Sequence, residues 1–484
     1  MAKNTLLNLV GFGAPALVAL FAIPLIVEAL GTDRFGILTL TWVLIGYLSL
    51  LDMGLGRALT KLVAEKLGQG AVEDIPAMIW TALSAMVLLS IGMSLLLGLF
   101  SGKIVQEWLN IPLQLQGEAR ATFLMLTLFV PLVMASVGFR GVLEAYQRFD
   151  LVNAVRVPLG IFSFAAPLAV IPFSVNLVVV VAALLVVRLL AVIVQFLFCL
   201  RIVSGLLSGF GMQSAIFFRL LRFGSWMTLS NVISPVLVYA DRFLIGAFLS
   251  VTAVAFYATP SEAITQLTLI SAALMGVMFP AFSSTFQVDR LRSAHLMDRS
   301  LKYVFIVLFP IVFLVVAFAG ELLTVWLNIE FAQTSFRVCQ FLAVGVFFIC
   351  LGQMPYALIQ GAGRPDLTGR LHLCQLPLYI VLLVVVVRWA GINGAALLWA
   401  ARAFIDMFFM YMMAQKLLGP DKLRTLPKAT LLFFALFLLC LFAVIAPLPV
   451  RIGGAVFTMA LFGWFAVRYL LSRDEIAFLI SIKK

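Results

Sequence analysis

Charge is scarce in this sequence. Only 11% of its 484 residues are Asp, Glu, Lys or Arg, while 64% are hydrophobic and the mean hydropathy is +1.15. A soluble globule carries about a quarter charged and about half apolar residues, so that class is excluded. Histidine is almost missing: His295 and His372 stand far apart, and no HExxH, CxxC or GxxxxGK[ST] pattern occurs. Zincin chemistry, dithiol redox chemistry and ATP hydrolysis within the chain are excluded with them. The five cysteines, Cys199, Cys339, Cys350, Cys374 and Cys440, fall in or beside apolar stretches without paired spacing, which points to packing and not to disulfides or metal. Gly361–Pro365, GAGRP, is a helix-ending turn and no phosphate loop. Long loops are missing too: none exceeds about 20 residues, whereas a membrane glycan polymerase or acyltransferase builds its site from a long extramembrane loop.

What the chain does have is apolar runs of bilayer-spanning length, about 20 residues or more each, joined by short connections. We expect an all-α polytopic membrane protein with about fourteen helices, near 7–30, 37–64, 76–100, 119–146, 151–172, 176–201, 219–249, 252–284, 299–319, 334–361, 368–388, 392–417, 428–447 and 451–471. The first run is too long for a signal-peptide core and is expected to stay as a helix. With both termini cytoplasmic, twenty-three of the thirty-three Lys and Arg fall on the cytoplasmic side and six outside. That asymmetry is what the positive-inside rule demands, and a miscounted helix scrambles it. The net charge of +12 is therefore explained by membrane orientation, with no nucleic acid implied.

An internal repeat runs beneath the helices. WLNI occurs at Trp108–Ile111 and Trp326–Ile329; RFDL (Arg148–Leu151) is echoed by RPDL (Arg364–Leu367), and LLVVR ending at Arg188 by LLWAAR ending at Arg402. The offsets of 218, 216 and 214 residues describe one duplicated six-helix unit. Two copies in the same orientation imply an N-terminal lobe (1–203), a cytoplasmic linker (204–222), a C-terminal lobe (223–425) and two extra helices with a tail (426–484).

A charged side chain at mid-bilayer costs at least about 2.5 kcal/mol, so such residues face a partner or an aqueous cavity. In the first lobe they are Asp52, Arg57 and Lys61 on helix 2, Arg140 and Glu144 on helix 4, and Arg188 on helix 6. The second has Asp241, Arg242, Glu262, Arg402 and Asp406. Arg140 with Glu144, and Arg402 with Asp406, are four apart and can neutralise each other within one helix. Arg57 and Lys61 are a like-charged pair at the same spacing, which suits either an anion between them or snorkelling to the cytoplasmic surface. Arg188 has no carboxylate within four residues. It and its repeat mate Arg402 suit either an anionic group in a cavity between lobes or carboxylates of neighbouring helices. Gly54 and Gly56 before Arg57 fit close helix packing or a hinge. Shifting Leu48–Leu62 by roughly 219 residues lands on ISAALMGVMFPAF (Ile270–Phe282), which has lost every charge, so the helix 2 set is a specialisation of the first lobe. The five carboxylates, Asp52, Glu144, Asp241, Glu262 and Asp406, are candidates for ion coupling, because burial can bring a carboxyl into the range where it carries a proton.

Three segments together carry a resemblance: ALGTDRFGIL (Ala29–Leu38), LLDMGLGRALTK (Leu51–Lys61) and YADRFLIGAFLS with the following VAFYATPSE (Tyr239–Glu262). The sequence resembles the polysaccharide-transporter, or O-antigen flippase, family of the multidrug/oligosaccharidyl-lipid/polysaccharide exporter superfamily. The resemblance implies a flippase for undecaprenyl-diphosphate-linked oligosaccharide in the bacterial cytoplasmic (inner) membrane. Alternating access, no cofactor beyond a coupling H+ or Na+, and a cationic cavity follow from it, with Arg57, Lys61, Arg140, Arg188, Arg242 and Arg402 as the positions able to supply the cavity. It further implies membrane lipid, a polysaccharide polymerase and glycosyltransferases as partners. Helix 1 lacks the arginine of lipid II flippases, and Glu262 stands where they have a cation, which favours another lipid-linked glycan. The other reading is an organic-cation antiporter of the same superfamily, which calls for carboxylates and not arginines in the cavity.

Overall fold

The structure is a computed structural model and describes residues 2–48, 55–68, 72–207, 211, 213, 239–286, 288–419 and 447–471. Among these all regular structure is helical, and eight stretches are long and apolar enough to cross a bilayer. In hydrocarbon a backbone must satisfy its own hydrogen bonds, and a helix does so within one segment.

In chain order the helices are α1 (Ala2–Leu48), α2 (Leu55–Gly68), α3 (Ile75–Lys103), α4 (Leu113–Ala145), α5 (Phe149–Val170), α6 (Leu177–Ile202) and α7 (239–248). There follow α8 (Val251–Thr265), α9 (Thr268–Thr285), α10 (Arg290–Ala317), α11 (Ala319–Trp326), α12 (Ile329–Gly361), α13 (Pro365–Leu418) and α14 (Leu448–Phe465). Two of them are double helices. α1 breaks at Gly31 (φ 75°, ψ 164°) and α13 at Gly391 (φ 60°, ψ −146°), left-handed positions that glycine occupies without a Cβ clash. The loops expected around these residues therefore shrink to single-residue kinks. The expected helix over 252–284 is interrupted at 266–267, between α8 and α9. Arg290 and Arg292, which precede the helix expected over 299–319, stand on α10, whose N-cap Asp289 accepts from the Arg292 amide at 3.0 Å. Cys199, Cys339 and Cys350 are buried as expected of packing residues; Cys374 is exposed. Most of the expected linker, the helix 428–447 save its last residue, and Cys440 lie outside the described residues.

The duplication is visible in the elements. α4 and α12 each have 33 residues, and the starts of α4 and α5 recur 216 residues later at α12 and α13. RFDL and RPDL build the same object: Arg148 donates to Asp150 at 2.9 and 2.8 Å, and Arg364 to Asp366 at 2.9 and 3.0 Å. Each fork spans the helix start, where a carboxylate also favours the helix dipole. The WLNI copies have diverged. Asn328 caps its own α12 by accepting from the Phe331 amide at 3.0 Å, whereas the Asn110 side chain donates to the carbonyls of Ala247 and Leu249 at 3.0 and 3.1 Å.

The chain divides into two compact units, residues 1–259 with 372–395, and residues 260–371 with 396–484. In the first, Leu59, Val63, Ile79, Met86, Met134, Phe139 and Cys199 bring α2, α3, α4 and α6 around one core. In the second, Phe305, Phe309 and Phe313 stack along α10, and Phe462 of α14 lies on Phe309 with ring centroids 4.6 Å apart. α14 is anchored at its first turn, where Arg451 bonds both oxygens of Glu321 and the carbonyl of Ala317 at 3.3 Å. Burial pushes the Glu321 carboxyl up, but the Arg451 hydrogen bonds outweigh it and hold the group below its ordinary value.

Two outcomes follow. A Cβ on Gly345 lies 2.4 Å from the Trp399 ring and 3.1 Å from the Ala400 backbone, whereas one on Gly92 meets nothing within 4 Å. Gly345→Ala is expected to cost about 1–3 kcal/mol through overpacking and Gly92→Ala to be neutral or stabilising, read as thermal unfolding in detergent. Because the folded carboxyl of Glu321 is depressed, its contribution is full above the unfolded value and falls away as pH drops through the folded one. Docking of α14, followed by proteolysis, should hold through neutral pH and weaken only in acid.

Candidate functional site

The glycine-rich start of helix 2 brings two helices into backbone contact. Thr60 donates to the carbonyls of Gly56 and Gly141, both at 3.0 Å, and a Cβ on Gly141 falls 2.9 Å from the Gly56 carbonyl oxygen. Gly56 is thus a close-approach residue between α2 and α4. Arg57 follows Gly56 in the chain and Arg140 precedes Gly141, so both flank this contact. The side chains of Arg57 and Lys61, and the whole of Asp52 and Gly54, lie outside the described residues.

On α4, Arg140 and Glu144 form the expected one-turn pair, with Nε to Oε1 at 3.7 Å and both side chains more than a third exposed. Arg156 of α5 feels the charges of both, and Arg188 of α6 feels that of Arg140. Three consecutive helices, packed on one another within the first unit, thus bring three guanidiniums and one carboxylate together. Arg188 is half-buried, and the charge found near it among the described residues is of its own sign. Arg156 escapes a sequence reading because, near the start of the helix expected over 151–172, it counts as one more cytoplasmic-side basic residue. The signal was present: the repeat offset of 216 pairs it with His372, the other basic residue at that register.

A second cluster is built on α7 and α8. Asp241 and Arg242 are buried, with 3% and 6% of their surface exposed. The Tyr257 hydroxyl donates to Asp241 Oδ2 at 2.5 Å, and the Arg242 amide donates to Oδ1 at 2.8 Å. The Arg242 guanidinium lies 5.7 Å from the centre of the Tyr239 ring, in cation–π range. Tyr257 is fully buried and explains why FYATPSE follows YADRF: its hydroxyl satisfies the carboxylate that the preceding helix buries.

Glu262 and the pair Arg402 and Asp406 are half-buried on α8 and α13 and belong to the second unit. Arg188 and Arg402 sit in different units. No group of three or more His, Cys, Asp or Glu able to hold a metal occurs among the described residues.

Tyr257→Phe keeps the ring and removes the donor to Asp241. It is expected to cost about 1–3 kcal/mol, because the buried carboxylate loses its hydroxyl partner; a chemical unfolding curve compared with Tyr239→Phe checks it.

Comparison with known proteins accords with this architecture. A Shigella flexneri protein named "Putative O-antigen transporter" is 29% identical over 408 residues, covering 84% of this chain and 96% of that one. Among solved structures, an inward-facing multidrug resistance MATE family transporter of the MOP superfamily superposes with a TM-score of 0.71 at 14% identity, over 84% of this chain and 97% of the other. The lipid II flippase MurJ, in an inward closed conformation, gives 0.71 at 12% identity over 98% and 100%. At such identities these two likenesses establish the fold alone. The sequence profile of the polysaccharide biosynthesis proteins matches residues 1–286, more than half of the chain, and this protein belongs to that family.

Proposed function

We propose that the protein is a flippase that carries undecaprenyl-diphosphate-linked oligosaccharide, an O-antigen-like or exopolysaccharide repeat unit, from the inner to the outer leaflet of the bacterial cytoplasmic membrane. The observation that carries this reading is the gathering of Arg140, Arg156 and Arg188 on three packed helices, with Glu144 paired to Arg140 as the carboxylate found there among the described residues. Excess guanidinium in such a place suits a diphosphate, which accepts forked hydrogen bonds and offsets the charge. The relation to the O-antigen transporter of Shigella flexneri supports the glycan part of the assignment.

In this reading the head group and sugars enter from the cytoplasmic side and are handed outward by rocking of the two lobes, while the polyprenyl tail stays in lipid. Arg57 and Lys61 meet the head group at the cytoplasmic mouth, and Arg188, Arg242 and Arg402 line its path. α14, which has only Ala455 and Phe462 buried along its length, offers an apolar face to the tail. Coupling to H+ or Na+ falls to Asp52, Glu144, Asp241, Glu262 and Asp406. Of these, Asp241 is held by fixed donors and is the least suited to exchange a proton.

In a strain lacking the protein, surface glycan should be lost and restored by the wild-type chain. Arg188→Ala combined with Arg402→Ala should fail to restore it while the protein is still made. Retained glycan export with altered dye efflux would point instead to an organic-cation antiporter. Neutral amides at all five carboxylates should abolish ion-driven transport in vesicles; unchanged transport would place the coupling elsewhere.

A further inference from the structure

α10 runs from a charged end to an apolar one without a break. Its first thirteen residues, RLRSAHLMDRSLK (Arg290–Lys302), carry every charge of the helix, and the fifteen that follow, Tyr303–Ala317, carry none. At 1.5 Å per residue its 28 residues reach about 42 Å, the thickness of a bilayer with its headgroups and not of the hydrocarbon alone. With the apolar end at one interface, the charged turns therefore fall at headgroup level on the other. Tyr303 marks the boundary, the depth at which tyrosines collect, and Arg299 and Lys302 are within snorkelling reach of the phosphates.

The cations share one face. Arg292, His295, Arg299 and Lys302 follow in steps of three, four and three residues, which is a single stripe on a helix. The first three are exposed and Lys302 is half-buried, while Ala294, Met297, Leu301 and Phe305 on the opposite face are buried in the second unit. Beyond Tyr303 the stripe continues into exposed Val307 and Leu314. The Tyr303 ring orders its upper half: the Arg299 guanidinium donates to the hydroxyl at 3.1 Å, and the Lys302 ammonium lies 5.1 Å from the ring centre. The two carboxylates of this end have neighbours of their own. Asp289 caps the helix on the Arg292 amide, and Asp298, with its Oδ1 buried, lies within electrostatic range of Tyr411 on α13.

Helix orientation alone does not call for this stripe. At the 218-residue offset that relates the WLNI copies, Arg290–Lys302 fall on Val72–Ser84, VEDIPAMIWTALS, which has no Lys, Arg or His. The first copy enters α3 through Glu73 and Asp74 instead, and Lys66 of α2 pairs with Asp74 at 2.5 Å. At this surface, unlike on the helices that carry Arg140, Arg156 and Arg188, the second copy is the cationic one.

We propose that Arg292, His295, Arg299 and Lys302 bind the headgroup phosphate of an anionic phospholipid of the inner leaflet, whose acyl chains lie along Val307 and Leu314. The inference rests on the cytoplasmic placement of this end that the distribution of Lys and Arg implies, and it is independent of the transported substrate. Guanidinium groups match phosphate oxygens in pairs, and cations beside the cytoplasmic end of a membrane helix attract acidic lipid. The position of the stripe within the headgroup layer, with an exposed apolar track running on from it, favours a lipid over a soluble acidic protein. A lipid held there braces α10, on which α14 rests through Phe309 and Phe462.

The test is lipid binding by the whole chain in detergent. The protein is titrated with phosphatidylglycerol and, separately, with phosphatidylcholine, and bound copies are counted by native mass spectrometry. Phosphatidylglycerol is expected to bind about tenfold more tightly, and Arg292→Gln with Arg299→Gln to remove that preference. Arg201→Gln with Arg370→Gln, an equal loss of charge at two other exposed positions, is expected to keep it. Raised salt should weaken phosphatidylglycerol binding to the wild-type chain, an arm that needs no variant. Equal binding of the two lipids, binding indifferent to salt, or a preference that survives Arg292→Gln with Arg299→Gln overturns the proposal. So does displacement of phosphatidylglycerol by undecaprenyl diphosphate at equal concentration, which makes the stripe a landing place for a lipid diphosphate. Capture of a polyglutamate peptide in place of the lipid overturns it in favour of a protein-docking surface.

Discussion

A bilayer interior offers no water to a charge, and that constraint sorts the ionisable residues of this protein into two kinds. Asp241 belongs to the first. Its oxygens receive a tyrosine hydroxyl and a backbone amide, and the guanidinium of the next residue rests over an aromatic ring, so the set is complete without a ligand. Arg140, Arg156 and Arg188 belong to the second. They lie on three packed helices where Glu144 is the carboxylate found among the described residues, a set whose like charges an anion would offset in the proposed function.

The same constraint explains the backbone. Kinks at Gly31 and Gly391 let one long helix pass into the next with no loop between them, so few amides and carbonyls are left without intrahelical partners. Where a helix does end, its exposed carbonyls become a place to attach something else. Asn110 uses the end of α7 in that way, while its repeat mate Asn328 spends the same side chain on its own helix. Duplication supplied two identical motifs, and one of them has its partner in the other copy.

Much of this was readable from residue order. Hydropathy located the spans, because an apolar helix of bilayer length has few alternatives. The repeat predicted that RFDL and RPDL would build equivalent structures, and they form the same arginine fork. The spacing of Arg140 and Glu144 gave their pairing. What residue order could not supply was contact between distant segments. Tyr257 reads as one more apolar-helix aromatic until Asp241 is seen beneath its hydroxyl. Asp33 and Gly36 read as turn chemistry until Thr252 and Val251 arrive from 219 and 215 residues away. Helix starts also escaped: α10 begins at Arg290 because an aspartate caps it, although its first turns are too polar for a hydropathy window.

The two copies also differ in charge, and the direction of the difference bears on mechanism. At the 216-residue offset Arg140 meets Tyr356, Glu144 meets Gln360 and Arg156 meets His372, while Arg188 keeps a counterpart in Arg402. Gln360 has taken a neutral role, donating to Thr368 at 3.0 Å. Permanent positive charge has therefore concentrated in the first copy while the fold stayed duplicated. A symmetric pair of lobes holding an anion equally would need its charges in both copies. In the proposed flippase reading, a head group would then be bound chiefly by the first lobe, with Arg242 and Arg402 the second lobe's contribution. Tight binding by both lobes would oppose separation of the two, so an asymmetric grip leaves the lobes free to part around a substrate that one of them still holds.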